Sequence, residues 1–203
     1  MRILSSGAES TIYLNTGKSI IKDRLAKKYR IAEIDSPLRT MRTRKELKVL
    51  SSLDRLGLAV PKIISSTPTT IEMEYIDGMQ LKKILDKRPQ LAQSIGKSLT
   101  TMHDADIIHG DLTTSNMILK EMKDRDDPER LFFIDFGLSF FSKRIEDKAV
   151  DIHLFKQALE SRHFRIADAA YSHFLKTYSP KDKEKILERL SIVEQRGKYK
   201  EKT

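Results

Sequence analysis

His109-Gly110-Asp111-Leu112-Thr113-Thr114-Ser115-Asn116 runs straight into the apolar stretch Met117-Ile118-Leu119, and a second apolar stretch, Leu131 to Ile134, delivers Asp135-Phe136-Gly137. Both stretches are short and β-prone, which predicts two strands. Those strands bring an Asp/Asn pair and a further Asp to one edge of a sheet. Phosphoryl transfer needs that inventory: one carboxylate to accept or orient a hydroxyl proton, and further oxygens to hold magnesium against phosphates. The structural alternative is an Asx turn at Asp111 and a type II turn at Phe136-Gly137. Two motifs in order and in register are much rarer than one, which favours chemistry.

The rest of the chain limits what that chemistry can be. Its 203 residues suit one medium domain or two small lobes. No apolar run nears the roughly 20 residues of a membrane helix. No secretory signal is visible, because Met1-Arg2 is followed at once by polar Ser5-Ser6. There is no cysteine, which excludes disulfides, thiol catalysis and cysteine-ligated zinc and fits a cytoplasmic protein. His103, His109, His153, His163 and His173 show no tight metal-binding spacing and read as structural, with His109 orienting the loop that it opens. The net charge is +9, and between Lys22 and Lys48 ten basic residues face four acids. Arg196, Lys198, Lys200 and Lys202 form a second basic cluster. Both suggest an acidic partner, with nucleic acid the first suspect.

The expected organisation is α+β: a strand-rich N-lobe over residues 1–76 and a helical C-lobe over 77–203, together one domain. Thr11 to Leu14 and Ser19 to Lys22 read as a hairpin around Asn15-Thr16-Gly17-Lys18. Ser36-Pro37 reads as the cap and first position of a helix carrying Met41, Leu47, Leu50 and Leu53. Ile63-Ile64 and Ile71 to Tyr75 read as strands. Pro89 opens a helix with Leu91, Ile95, Leu99 and Met102 on one face. Further helices follow over 148–160, 164–178 and 181–195, the last opened by Ser179-Pro180.

HGDLTTSN followed by DFG resembles the signature of the protein-kinase superfamily, with Gly110 where an arginine is usual. The resemblance implies a two-lobed kinase-like fold with Asp111 as catalytic base and Asn116 and Asp135 as magnesium ligands. Ser5 to Ile12 fits the glycine-rich phosphate loop with one glycine kept, so Ser6, Gly7, Ala8, Glu9 and Ser10 become candidate ATP contacts. Ser19-Ile20-Ile21-Lys22 fits the lysine strand, and Lys22 would pair with the α and β phosphates. A helix glutamate should hold that lysine. Glu46, one turn before Leu50, fits best, and Glu33 is the rival. The Glu74 carbonyl and Ile76 amide would meet adenine. Asp151 sits one turn before Leu154 and Phe155 on an apolar helix face, where an ionised carboxylate needs hydrogen bonds, and the kinase resemblance implies that it braces the backbone of the catalytic loop.

Departures narrow the resemblance. Only residues 136–150 separate Asp135 from Asp151, no Ala-Pro-Glu occurs, and the peptide-docking helices of ordinary protein kinases have no counterpart. The chain is similar to minimal atypical kinases of the RIO class. With Gly7-Ala8-Glu9-Ser10, Lys22-Asp23-Arg24 to Tyr29-Arg30, Arg42-Thr43-x-x-Glu46, HGDLT, Ile134-Asp135-Phe136-Gly137-Leu138, Lys148-Ala149-Val150-Asp151 and Arg196-Gly197-Lys198, it resembles the small kinase/ATPase subunit of the KEOPS complex. That resemblance implies ATP and magnesium as cofactors and a role in making threonylcarbamoyladenosine in tRNA. The threonylcarbamoyl-transferase subunit and the other KEOPS subunits would be partners, and serines, including the chain's own, acceptors. The Lys22–Lys48 segment and the basic tail would meet tRNA or an acidic partner surface. Two other classes stay open: a small-molecule phosphotransferase of the aminoglycoside or choline type, and a non-catalytic nucleotide-binding scaffold.

Overall fold

The computed structural model describes residues 1–7, 9–27, 31–122 and 128–200, without the side chains of 32 and 196–200. Ala8, Lys28, Arg30 and Lys202 therefore lie outside the described residues, as do the side chains of Arg196, Lys198 and Lys200. The chain divides into two compact units, Met1–Asp77 and Gly78–Thr203.

The first unit is an antiparallel five-stranded sheet and one long helix. Strands β1 (Arg2–Ser6), β2 (Thr11–Leu14), β3 (Ser19–Asp23), β4 (Ile63–Ser66) and β5 (Thr70–Glu74) lie in the order β1-β2-β3-β5-β4. The turn between β2 and β3 closes where Lys18 takes φ +57° and Asn15 N–H bonds the Ser19 carbonyl at 2.9 Å. The edge strand β1 was not foreseen, because its five residues are all exposed and carry no alternation to read.

Helix α1 (Ala32–Arg55) begins a full turn before the expected start at Ser36. Ile31, not Ser36, occupies the cap, and its carbonyl already accepts the N–H groups of Ile34 and Asp35 at 3.0 Å. Pro37 therefore sits inside the helix, where its missing N–H removes one bond of the ladder. Met41, expected in the core, is 57% exposed. It lies nine residues before the buried Leu50, and at about 100° per residue that places it on the opposite face. The core face carries Val49, Leu50 and Leu53, and towards the N-terminus it continues as buried Glu46, Thr43 and Asp35.

The second unit is mainly helical. Strand β6 (Met79–Gln80) pairs with β8 (Met117–Glu121), which pairs with β9 (Glu129–Phe133); β7 (Ile107–Ile108) pairs with β10 (Phe140–Phe141). Helix α2 (Ala92–Asp104) follows a 3-10 turn that Pro89 opens, and buries Ile95, Leu99 and Met102 as expected. It packs on α4 (Ala167–Thr177), while α3 (Ile145–Arg162) packs on α5 (Lys183–Lys200). Gly96 allows the first approach, since a Cβ there would run into the Phe174 carbonyl and the Thr177 hydroxyl. Phe155, Phe174 and Tyr178 fill the centre, with ring centroids 5.1 and 5.2 Å apart. Ser179-Pro180 does not open α5 directly: a turn with Lys183 N–H on the Pro180 carbonyl comes first.

Candidate active site

The hairpin of β8 and β9 sets the position of two of the expected residues. Met117 lies opposite Phe133, and one step further Ile134 N–H bonds the Asn116 carbonyl at 2.9 Å. Asn116 and Asp135 thus leave the hairpin at the same end. Asp135 turns out of its strand with φ +61°, in the left-handed region that aspartate tolerates better than most residues and that often marks a functional site. Its side chain is exposed, and Gly137 N–H lies 3.4 Å from Oδ1.

Asn116 joins Asp111 directly. Its amide nitrogen donates to Asp111 Oδ2 at 2.8 Å and to the Asp111 carbonyl at 2.9 Å. A 3-10 turn over Thr114–Asn116 makes this closure possible. With Nδ2 so engaged, Asn116 Oδ1 and Asp111 Oδ1 accept no hydrogen bond among the described residues.

The loop itself is held from below. Asp151 of α3 is fully buried and accepts the backbone N–H of His109 at 2.7 Å and of Gly110 at 2.9 Å. His103 Nε2 approaches the same carboxylate at 3.4 Å, while its Nδ1 meets the Tyr178 hydroxyl at 2.7 Å. Burial pushes the Asp151 carboxyl up, but the hydrogen bond from His103 and those from the backbone outweigh it and hold the group below its ordinary value. This is the brace expected from the apolar face of α3.

Gly110 has φ +78°, and a Cβ there would sit 2.5 Å from the Leu138 carbonyl oxygen. The departure from arginine at this position is thus required by the backbone path. His109 is buried against Phe136, with ring centroids 4.9 Å apart, and its Nδ1 accepts Asp111 N–H at 3.3 Å. Burial lowers its basicity and keeps the ring neutral, against the pull of Asp151, Asp111 and Asp135.

A second tie was not visible in the sequence. Thr114 Oγ1 meets His163 Nε2 at 3.0 Å, and His163 Nδ1 meets Asp86 Oδ1 at 2.8 Å. Thr114 and His163 are buried, whereas the Asp86 side chain is 59% exposed. Partners 49 and 77 residues apart leave no local pattern to find. His103 could have been found by the logic that found Asp151, because it sits one turn after Leu99 on the buried face of α2.

Among the described residues, no three histidine, aspartate or glutamate side chains converge on one point as a ready-made metal cage. The oxygens present suit magnesium nonetheless. That ion takes one or two protein ligands and completes its shell with phosphate and water oxygens. Asp135 and the unengaged Oδ1 of Asn116 are ligands of that kind.

In the first unit, Lys22 on β3 is 5% exposed and its Nζ lies 2.7 Å from Glu46 Oε1 on α1. Glu33, the rival, is exposed. Ser6 ends β1, its hydroxyl 3.3 Å from that of Thr11, and Gly7 N–H bonds the Ser10 carbonyl at 3.0 Å to form the turn into β2. The Glu9 carboxylate pairs with Arg42 of α1. Glu74 ends β5, with its N–H on the Lys62 carbonyl at 2.8 Å, and Ile76 is buried two residues on.

A model of the RIO domain matches residues 13–143. Over the whole of this chain and 98% of the other, the sequence is 38% identical to the KEOPS complex subunit Bud32 of Pyrococcus abyssi. The chain belongs to the Bud32 family, a RIO-domain branch of the protein-kinase superfamily. Bud32 modules also occur inside longer proteins. A probable bifunctional tRNA threonylcarbamoyladenosine biosynthesis protein of Methanosarcina barkeri is 36% identical over 97% of this chain, which spans 35% of that protein. Among solved structures, the Rio2 kinase of Chaetomium thermophilum in its ADP/Mg2+-phosphoaspartate complex matches with a TM-score of 0.62 and 20% identity, covering 97% of this chain and 70% of that one. At that identity the likeness is one of fold, and it bears out the expected α+β, kinase-like architecture for this Bud32 relative.

Proposed function

We propose that the chain binds ATP and magnesium and acts as an atypical serine/threonine kinase and ATPase within a KEOPS-type assembly in the cytoplasm, supporting threonylcarbamoyladenosine modification of tRNA. The observation that carries this reading is the bond from Asn116 to Asp111 on a loop braced by Asp151. It fixes the carboxylate and leaves Oδ1 to receive the proton of an attacking hydroxyl, from serine or from water. As the new oxygen–phosphorus bond forms, ADP leaves with the electrons of the bond that breaks. Asn116 and Asp135 would hold magnesium, which when bound neutralises charge on the phosphate oxygens. Lys22 would take the α and β phosphates, with Glu46 fixing its ammonium.

Ser6, Gly7, Ala8, Glu9 and Ser10 would line the phosphates and supply backbone N–H groups other than that of Gly7, which the Ser10 carbonyl holds. With its carboxylate on Arg42, Glu9 adds no negative charge there. The Glu74 carbonyl and Ile76 amide would receive adenine. A purely scaffolding role would let the nucleotide and metal residues degenerate, whereas Lys22, Asp111, Asn116 and Asp135 are all present. The names of the relatives support the threonylcarbamoyl-transferase and other KEOPS subunits as partners. Of the basic segment Lys22–Lys48, Lys22 and Arg24 are buried against Glu46, so the surfaces proposed for tRNA are its exposed part, which carries Arg44, Lys45 and Lys48, and the C-terminal tail. Measuring ATP turnover with and without tRNA and the transferase subunit tests the reading: Asp111→Ala should abolish it, and full turnover would refute the role of Asp111. Affinity for tRNA should fall steeply with salt, and a flat response would remove nucleic acid from the account.

A further inference from the structure

Residues 136–144 are all that separates Asp135 from α3, and two of them form β10. In kinases with a long activation segment, phosphorylation of that segment and displacement of the helix glutamate decide when the lysine–glutamate pair forms. Nine residues already tied into a strand pairing cannot perform that task. The groups that secure Lys22 to Glu46 are therefore sought within the first unit.

The candidate is Arg24. It is 3% exposed, just past the end of β3, with its N–H on the Thr69 carbonyl at 3.0 Å. Two residues after Lys22, its side chain faces the same way. One guanidinium nitrogen pairs with Glu46 Oε2 while Lys22 holds Oε1. The other donates to Thr43 Oγ1 at 3.2 Å, one turn earlier on α1. Thr43 Oγ1 in turn donates to the Arg39 carbonyl at 2.9 Å. Arg39 closes the ring, with Nη1 on the Arg24 carbonyl at 3.0 Å and Nε on Asp35 at 2.6 Å. Asp35, Arg39, Thr43 and Glu46 fall on one stripe of α1, and that stripe is buried or half-buried. A carboxylate gripped by one cation can still rotate. One gripped at both oxygens, by a residue of β3 and another just past its end, is held in one orientation.

We propose that Arg24 is a positioning residue that clamps the second oxygen of Glu46 and so keeps Lys22 set for the phosphates without phosphorylation or a partner. The inference rests on the reading of Lys22 as the phosphate-binding lysine. Burying a guanidinium with its Nε unpaired is costly, and an apolar pair of similar volume would often serve stability as well. Its presence is accounted for by the orientation it imposes.

The test is a double-mutant cycle on ATP turnover in the full chain. Arg24→Met should lower kcat by about 10- to 100-fold, the scale expected for a misplaced catalytic group. In a Glu46→Gln background, the same change should alter kcat by less than about two-fold, because the carboxylate it acts through is gone. Equal losses in both backgrounds would show a merely structural role and overturn the inference. Thr43→Val, which removes one of the guanidinium's two bonds to α1 at nearly constant volume and leaves the one to Glu46, should lower kcat in the same direction by about three-fold. It decides the matter should Arg24→Met fail to fold, and unchanged turnover in it would overturn the inference. A wild-type chain that turned over no ATP would overturn the parent reading and this one with it. Wild-type turnover matched by Arg24→Met would overturn this one alone.

Discussion

The Oδ2 atom of Asp151 lies 2.7 Å from the backbone nitrogen of His109, forty-two residues away in sequence. Through this contact α3 holds the catalytic loop by main-chain atoms, so the loop's side chains stay available for chemistry. Removing the carboxylate leaves the buried N–H of His109 and the half-buried N–H of Gly110 without that acceptor. Asp151→Ala should therefore destabilise by about 3 kcal/mol and lower Tm by roughly 6–12 °C in a calorimetric scan. A shift under about 2 °C would show that the brace contributes little.

Acid should weaken the fold through His109 before it reaches the carboxylates. Burial holds the folded imidazole below its ordinary 6.5, so between that value and the folded one the unfolded chain binds more protons. Stability therefore falls as pH drops through about 6.5. Asp151 acts in the same direction at lower pH. Its folded carboxyl is held below 3.8, so its contribution is complete above about pH 5 and is lost as pH falls through the lowered value. Urea midpoints measured from about pH 7.5 to 5 should decline, and His109→Asn should flatten the slope.

Restoring the usual kinase arginine at position 110 should be harmful. Both Gly110→Ala and Gly110→Arg force a side chain into a φ of +78° and against the Leu138 carbonyl. A loss of about 2–4 kcal/mol in urea denaturation is expected, with turnover reduced as the loop shifts. An arginine variant as stable as the wild type would contradict the close approach to Leu138.

Asn116→Ala unties Asp111 and removes an oxygen proposed to hold magnesium in one step. Turnover should fall by about 100-fold or more at ordinary magnesium, and the concentration of magnesium giving half-maximal rate should rise. Excess EDTA should abolish wild-type turnover, and activity that survived EDTA would remove magnesium from the account.

The tie from Asp86 through His163 to Thr114 ends in the catalytic loop. His163→Leu leaves the Thr114 hydroxyl buried and unpaired, at a cost of about 1–3 kcal/mol. Asp86→Asn, at the exposed end, should cost under about 1 kcal/mol. Paired thermal melts check both, and the reverse order would be inconsistent with the burial of His163.

The sequence exposed the site more fully than the fold around it, and for a physical reason. Phosphate chemistry uses few residue types at fixed spacing, which singled out Asp111, Asn116, Asp135 and Lys22 as candidates, and the structure sets Asn116 on Asp111 and Lys22 on Glu46. Asp151 was legible because an acid on an apolar face needs partners. Helix α1 was misjudged at its start because its inward face there is polar: Asp35, Thr43 and Glu46 do the burying that leucines do further on. Hydrophobic periodicity reports nothing about such a face. β1 escaped because it is exposed throughout, and His163 because its partners come from elements far apart in the chain.

The brevity of residues 136–144 has a wider consequence. Ordinary kinases read the sequence around the hydroxyl they modify with a platform built from that region. Here β10 takes its place and α3 follows at once. Under the proposed function, this stretch offers no such platform for choosing an acceptor, and the choice would fall to the proteins assembled around the chain.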